Sequence, residues 1–183
     1  LEQAPGGEMV RASQRDEYFP ALGGRPQVDE ALLGFDVASD PIRAETLNRA
    51  RDSGEVSITT WVTLLQESDT PYGFLAFVPV YKKDLPSDSV ENRRKNSEGF
   101  IVGVSRIARL VDQALASLQP RGIDLVFSDE SPPQGEGIFF SYSSRLGIEP
   151  RLETRADDPE SLHHGTTLEV GGRRWTILAT AIP

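Results

Sequence analysis

The chain has 183 residues, 38% hydrophobic and 26% charged, which is the composition of an ordinary globular protein with one domain or two small ones. Its net charge of −9 argues against the basic footprint of a nucleic-acid binder and against electrostatic docking on anionic lipid. With no cysteine there is no disulfide, thiolate metal site or thiol nucleophile, and no run approaches the roughly 18 apolar residues of a membrane span.

In chain order, Leu1 to Gly7 carries Pro5-Gly6-Gly7 and reads as loose chain. Residues 8–18, EMVRASQRDEY, read as helical, with Met9, Ala12 and Asp16 or Tyr18 along one side. Tyr18 to Leu22 suits a first strand, ended by Gly23-Gly24-Arg25-Pro26, and Leu32-Leu33-Gly34-Phe35 is a short apolar strand-like piece. A helix then starts. Asp40 stands at its N-cap, where a carboxylate accepts from the free amides of the first turn. Pro41 takes the first helical position and Gly54 the left-handed position beyond the end. Glu45, Arg49 and Asp52 make a charged outer face, and Arg43, Leu47 and Ala50 the inner one.

Val56, Ile58, Thr60 and Val62 alternate with Ser57, Thr59 and Trp61, the pattern of a half-buried strand. Asp69 to Gly73 is a turn by composition. Phe74 to Tyr81 is nearly all apolar and reads as a strand buried on both faces, with a break or edge at Pro79. Lys82 to Glu98 mixes charges without an apolar stripe and reads as a solvated excursion between neighbouring strands. Gly99 to Ser105 is a second buried strand, in which Gly99 and Gly103 leave room for close approach. Ile107, Leu110, Val111, Ala114, Leu115 and Leu118 form one stripe of an amphipathic helix stopped by Pro120 and Gly122. The remainder is β: Ile123–Ser128, Ile138–Tyr142, Glu149–Thr154, Thr166–Val170 and Arg174–Ile182, the last two joined by a tight Gly171-Gly172 turn.

Three stretches together resemble one known family. GFDVASDPIRAETLNRARDSG (34–54), then Phe77-Val78-Pro79-Val80-Tyr81, then Gly99-Phe100-Ile101-Val102-Gly103-Val104, are similar to a CHASE domain over roughly residues 10–112. CHASE domains are the extracellular ligand-sensing modules of many bacterial histidine kinases and cyclases and of plant cytokinin receptors. The resemblance implies an α+β fold. Residues 1–18 would end a stalk helix, 19–118 would form a membrane-distal PAS-like ligand-binding subdomain, and 119–183 a membrane-proximal PAS-like subdomain. Each subdomain would be an antiparallel sheet with flanking helices. It also implies a periplasmic or extracellular place, anchoring through flanking transmembrane helices, a kinase or cyclase output domain, and a homodimer through the stalk. A start at Leu1 and an apolar final strand suit a piece of a longer protein.

No catalytic set stands out. His163 and His164 are adjacent in a polar segment, and neighbouring residues rarely point at one substrate; a weak cation site with Asp157, Asp158 and Glu160 competes there with a solvated loop. Glycine-rich phosphate loops and nucleophile elbows are absent, so neither enzyme activity nor a cofactor or metal is expected. A binding site is easier to argue. An inward guanidinium on Arg43 needs a partner, either a salt bridge to Asp36 or Asp40 or an anionic ligand. If small residues such as Ala76, Gly99 and Gly103 leave a hollow beneath the helix, Arg43, Thr59 and the backbone of Leu65 are its polar groups. Phe77, Phe100, Val102 and Gly103 are its walls; the alternative is a fully packed core.

The resemblance sharpens this site. In cytokinin receptors a carboxylate stands at the position matching Arg43, a hydroxyl-bearing residue at Phe77 and a tyrosine at Phe100, whereas Thr59 matches a required threonine and Leu65 a backbone contact. Cytokinin specificity is therefore not expected, and charge favours a small anionic ligand. The competing reading is a ligand-free interaction or structural ectodomain, and a metal-dependent hydrolase ranks last.

Overall fold

The computed structural model describes residues 1–4, 7–24, 32–63, 72–116, 122–131, 137–143, 147–149 and 162–181. The elements are β1 (Glu2–Gln3), β2 (Met9–Val10), a 3-10 turn (Val37–Ser39), α1 (Pro41–Ser53), β3 (Ser57–Ile58), β4 (Val62–Thr63), β5 (Tyr72–Tyr81) and α2 (Val90–Asn96). They continue with β6 (Ser97–Arg106), α3 (Ile107–Leu115), β7 (Ile123–Asp129), β8 (Gly137–Ser143), β9 (Gly147–Glu149), β10 (His163–Val170) and β11 (Arg173–Ala181). The class is α+β. β1 pairs with β2, β5 pairs with β3, β4 and β6, and a five-stranded antiparallel sheet runs β10-β11-β7-β8-β9. Two compact units result, Leu1–Glu55 with Phe77–Ile101, and Val56–Ala76 with Val102–Pro183.

In the first unit, α1 is bounded as its residue types require. The Asp40 carboxylate accepts from the Arg43 amide at 3.0 Å, Pro41 opens the helix, and Gly54 closes it at φ +79°. Three carbonyls of the last turn find donors. Gly54 N–H donates to Ala50, the Tyr81 hydroxyl to Arg51 at 2.8 Å, and Arg93 Nε to Asp52 at 2.8 Å. Arg94 forks onto the Asp52 carboxylate, 2.8 Å from Nε and 2.5 Å from Nη2. These arginines lie in the last turn of α2, which occupies the excursion expected to be irregular. Its signals are caps rather than an apolar stripe: Ser89 accepts from Asn92 N–H at 3.1 Å, Glu91 sits in the first turn, and Arg93, Arg94 and Lys95 in the last. Asn96, buried at its end, donates to the Pro86 carbonyl at 2.8 Å.

Residues 8–18 are not a helix, contrary to expectation. Gly7, at φ +87°, turns the chain so that Glu2 faces Val10 and Gln3 faces Met9. Beyond this hairpin, Ser13 donates to Glu2 at 2.6 Å and Arg15 joins Glu2 to Asp36, 2.9 Å from Oδ2. Side-chain bonds of this kind outweigh a helix whose apolar stripe is only Met9 and Ala12. Leu32 to Gly34 is likewise a turn, not a strand, and Asp36 makes an isolated bridge with Pro20. Asp36 is buried and accepts from Arg15, from Phe19 N–H at 2.9 Å and from Ala38 N–H at 3.2 Å.

In the second unit, Ile58, Ile107, Val111, Phe140 and Trp175 form the core. The expected 56–62 strand is two short ones. Ser57 to Thr60 are all buried, so strict alternation fails, and Val56 is exposed. Between β3 and β4, Thr59 leaves the strand conformation and its hydroxyl accepts from Leu75 N–H at 3.0 Å. The Gly171-Gly172 turn has φ +53° and +75°, as a two-residue hairpin requires, and Ile58 N–H donates to the Gly171 carbonyl at 2.9 Å. Beside it, Asp129 and Arg173 form a buried ion pair at 2.5 Å, and the carboxylate also accepts from Ser131 N–H at 3.0 Å.

β5 runs unbroken through Pro79, and only its Leu75 and Phe77 side is fully buried. β6 departs further from expectation: Ile101 is 64% exposed and Val104 61%. An apolar run does not by itself mean burial, since the periodicity says nothing about which faces are covered. The part of the expected 149–154 strand after Glu149 lies outside the described residues.

Removing one partner of the Asp129–Arg173 pair strands a buried charge. Asp129→Ala is expected to cost about 3–5 kcal/mol, read by urea denaturation. At the α1 end, the hydrogen bond from Arg94 holds the Asp52 carboxyl below the usual carboxylate range. A lowered folded-state value contributes stability above the unfolded value, and that stability fades as pH falls through the lowered one. Asp52→Asn is therefore expected to be less stable than the parent at neutral pH, with the two converging below about pH 4 in denaturation curves taken across pH.

Candidate ligand-binding site

The inner face of α1 buries Arg43, Thr46, Leu47 and Ala50. Thr46 satisfies its hydroxyl by donating to the Ile42 carbonyl at 2.8 Å. Arg43 is the exception. It is 9% exposed, its Nε has no hydrogen-bond partner, and no carboxylate among the described residues forms an ion pair with it. The two acids open to it in the sequence are committed elsewhere. Asp36 is held by Arg15 and two backbone amides, and Asp40 caps the helix. Burial pushes the Arg43 guanidinium below its ordinary pKa, and the nearby Asp40 charge opposes this only in part. What Arg43 does touch is aromatic: its guanidinium carbon lies 5.6 Å from the centre of the Phe35 ring.

Phe77 and Phe100 belong to the same unit as Arg43 and meet edge to face, with ring centres 6.2 Å apart. Phe19 extends the stack onto Phe100 at 5.6 Å. Phe77 is wholly buried. Thr59, Val102 and Gly103 belong to the other unit. Thr59 is buried with its hydroxyl bonded to the Leu75 amide, Val102 is exposed, and a side chain on Gly103 would start 3.7 Å from the Cβ of Ala76, an ordinary contact. Leu65 lies outside the described residues.

Sequence reasoning missed Phe35 and Phe19. Phe35 is an aromatic beside a cationic helix start, and that pairing is its only signal. A separate recess in the second unit, lined by Thr59, Trp61, Phe74, Ile107, Asp129 and Trp175, encloses about 10 Å³. That is room for one water at most. His163 and His164 open strand β10 and are exposed; as successive strand residues they face opposite sides. Among the described residues no group of three or more histidine or acidic side chains could hold a metal ion, and no helix is long and apolar enough to cross a membrane.

The CHASE domain profile matches residues 2–140, and the chain belongs to that family of sensory domains. The chain is also 29% identical, over 92% of its length, to the hybrid signal transduction histidine kinase A of Dictyostelium discoideum. It spans 8% of that protein.

A buried guanidinium whose Nε has no acceptor costs stability. Arg43→Met keeps the length and removes the charge, and is expected to stabilise the chain by about 1 kcal/mol or more in urea denaturation.

Proposed function

We propose that this chain is the extracytoplasmic ligand-sensing domain of a membrane-bound signalling receptor of histidine-kinase or diguanylate-cyclase type. In this reading it binds a small anionic molecule and itself catalyses nothing. The family supports the sensing role. A likeness confined to 8% of a hybrid kinase fits a module distinct from the catalytic parts of such a receptor. The ligand class rests on one observation, the buried Arg43 whose Nε has no acceptor. A planar fork of donors on an aromatic ring suits a carboxylate, which would supply the missing charge and hydrogen bonds together. Ligand binding would favour one of two arrangements of the receptor and so bias its output.

Thermal and urea unfolding against small carboxylates, phosphates and neutral heterocycles, adenine derivatives included, tests this. An anion at one hundred times its dissociation constant is expected to add about 2.7 kcal/mol to the parent chain. Arg43→Met is expected to weaken that anion at least about tenfold while remaining folded. Stabilisation by a neutral compound that is equally strong in Arg43→Met would overturn the anion assignment.

A further inference from the structure

Strand β6 carries an unusual edge. Among the described residues it pairs with β5 alone. Its middle is apolar and open on both faces, with Ile101 64%, Val102 37% and Val104 61% exposed. Proteins blunt such edges with lysine, proline, bulges or short strands. Here the strand is ten residues long and contains neither lysine nor proline.

The order of residues along β6 says what would cover it. Read outward from Val102, the neighbours are Ile101 and Gly103, then Phe100 and Val104, Gly99 and Ser105, and finally Glu98 and Arg106. A twofold axis perpendicular to an antiparallel pair must pass between two copies of the same residue, because hydrogen-bonded and non-bonded pairs alternate. With that axis at Val102, the charged residues oppose each other and the apolar residues meet apolar or side-chain-free ones. Glu98 opposes the partner's Arg106 at both ends, which is the charge arrangement a strand pair favours. Phe100 opposes the partner's Val104. Ile101 opposes the partner's Gly103, which has no side chain to crowd it. Glu98, Phe100, Val102, Val104 and Arg106 share one face of the strand, so the apolar centre is flanked by opposite charges.

We propose that β6 is a self-complementary docking edge that pairs antiparallel with β6 of a second copy of this chain about Val102. The contact is independent of the ligand.

The absence of native cysteine makes the test direct. Directly opposed residues of an antiparallel pair have Cα atoms about 4.5–5.5 Å apart, within disulfide reach. Val102→Cys is expected to give a covalent dimer on mild oxidation, and Val78→Cys, exposed on β5, is not. Sedimentation of the unmodified chain is expected to show reversible dimers. Glu98→Lys and Arg106→Glu should each weaken the dimer about tenfold, since two pairs turn repulsive, and the double exchange should restore it. Circular dichroism confirms that each variant is folded. A monomer at every concentration, equal cross-linking at 78 and 102, or a dimer indifferent to the charge exchange would overturn the proposal.

Discussion

Helix α1 is held by its ends. Leu47 and Ala50 are its only fully buried apolar side chains, with Ile42 and Ala44 half-buried, a modest apolar face for a thirteen-residue helix. Hydrogen bonds at both termini add to that packing. Asp40 satisfies the first turn, and Gly54, Tyr81 and Arg93 satisfy the last, with Arg94 gripping Asp52. Helix termini leave strong backbone donors and acceptors that must be answered. When polar groups of other elements answer them, the helix is located without spending its inner face on packing. That inner face is then free to carry a cation.

The placement of Arg43 follows from this. A guanidinium taken out of water without a carboxylate is unfavourable, and Phe35 offsets only part of that. A buried cation in this condition is unmatched in charge, with no backbone strain beside it. Phe77, Phe100 and Phe19 surround themselves instead of a polar group, and they contribute shape and rigidity.

Legibility in the sequence tracked how local the determining physics was. Asp40, Pro41 and Gly54 fixed α1 because caps act within a few residues, and Gly171-Gly172 marked its hairpin for the same reason. The inner stripe Arg43, Leu47 and Ala50 was likewise plain. Helix α2 went unseen because its signals are Ser89 and a run of charge, with no apolar stripe. Residues 8–18 read as helical because the bonds of Ser13 to Glu2 and of Arg15 to Glu2 and Asp36 span 11 to 21 positions. β6 showed its hydrophobicity but not its exposure, since exposure depends on which elements cover it. The sequence shows that Arg43 needs a partner; that Arg15 claims Asp36 is a tertiary fact.

The β10–β11 turn looks like an ordinary surface tip, yet it is a packed joint. A side chain on Gly171 would start 2.7 Å from Ile58 Cγ2 and 3.0 Å from the Ile58 nitrogen, the same nitrogen that donates to the Gly171 carbonyl. The glycine is needed for space as well as for its left-handed backbone. A tag, label or reporter placed there would therefore pry β3 from the hairpin, and the turn is a poor place to graft one.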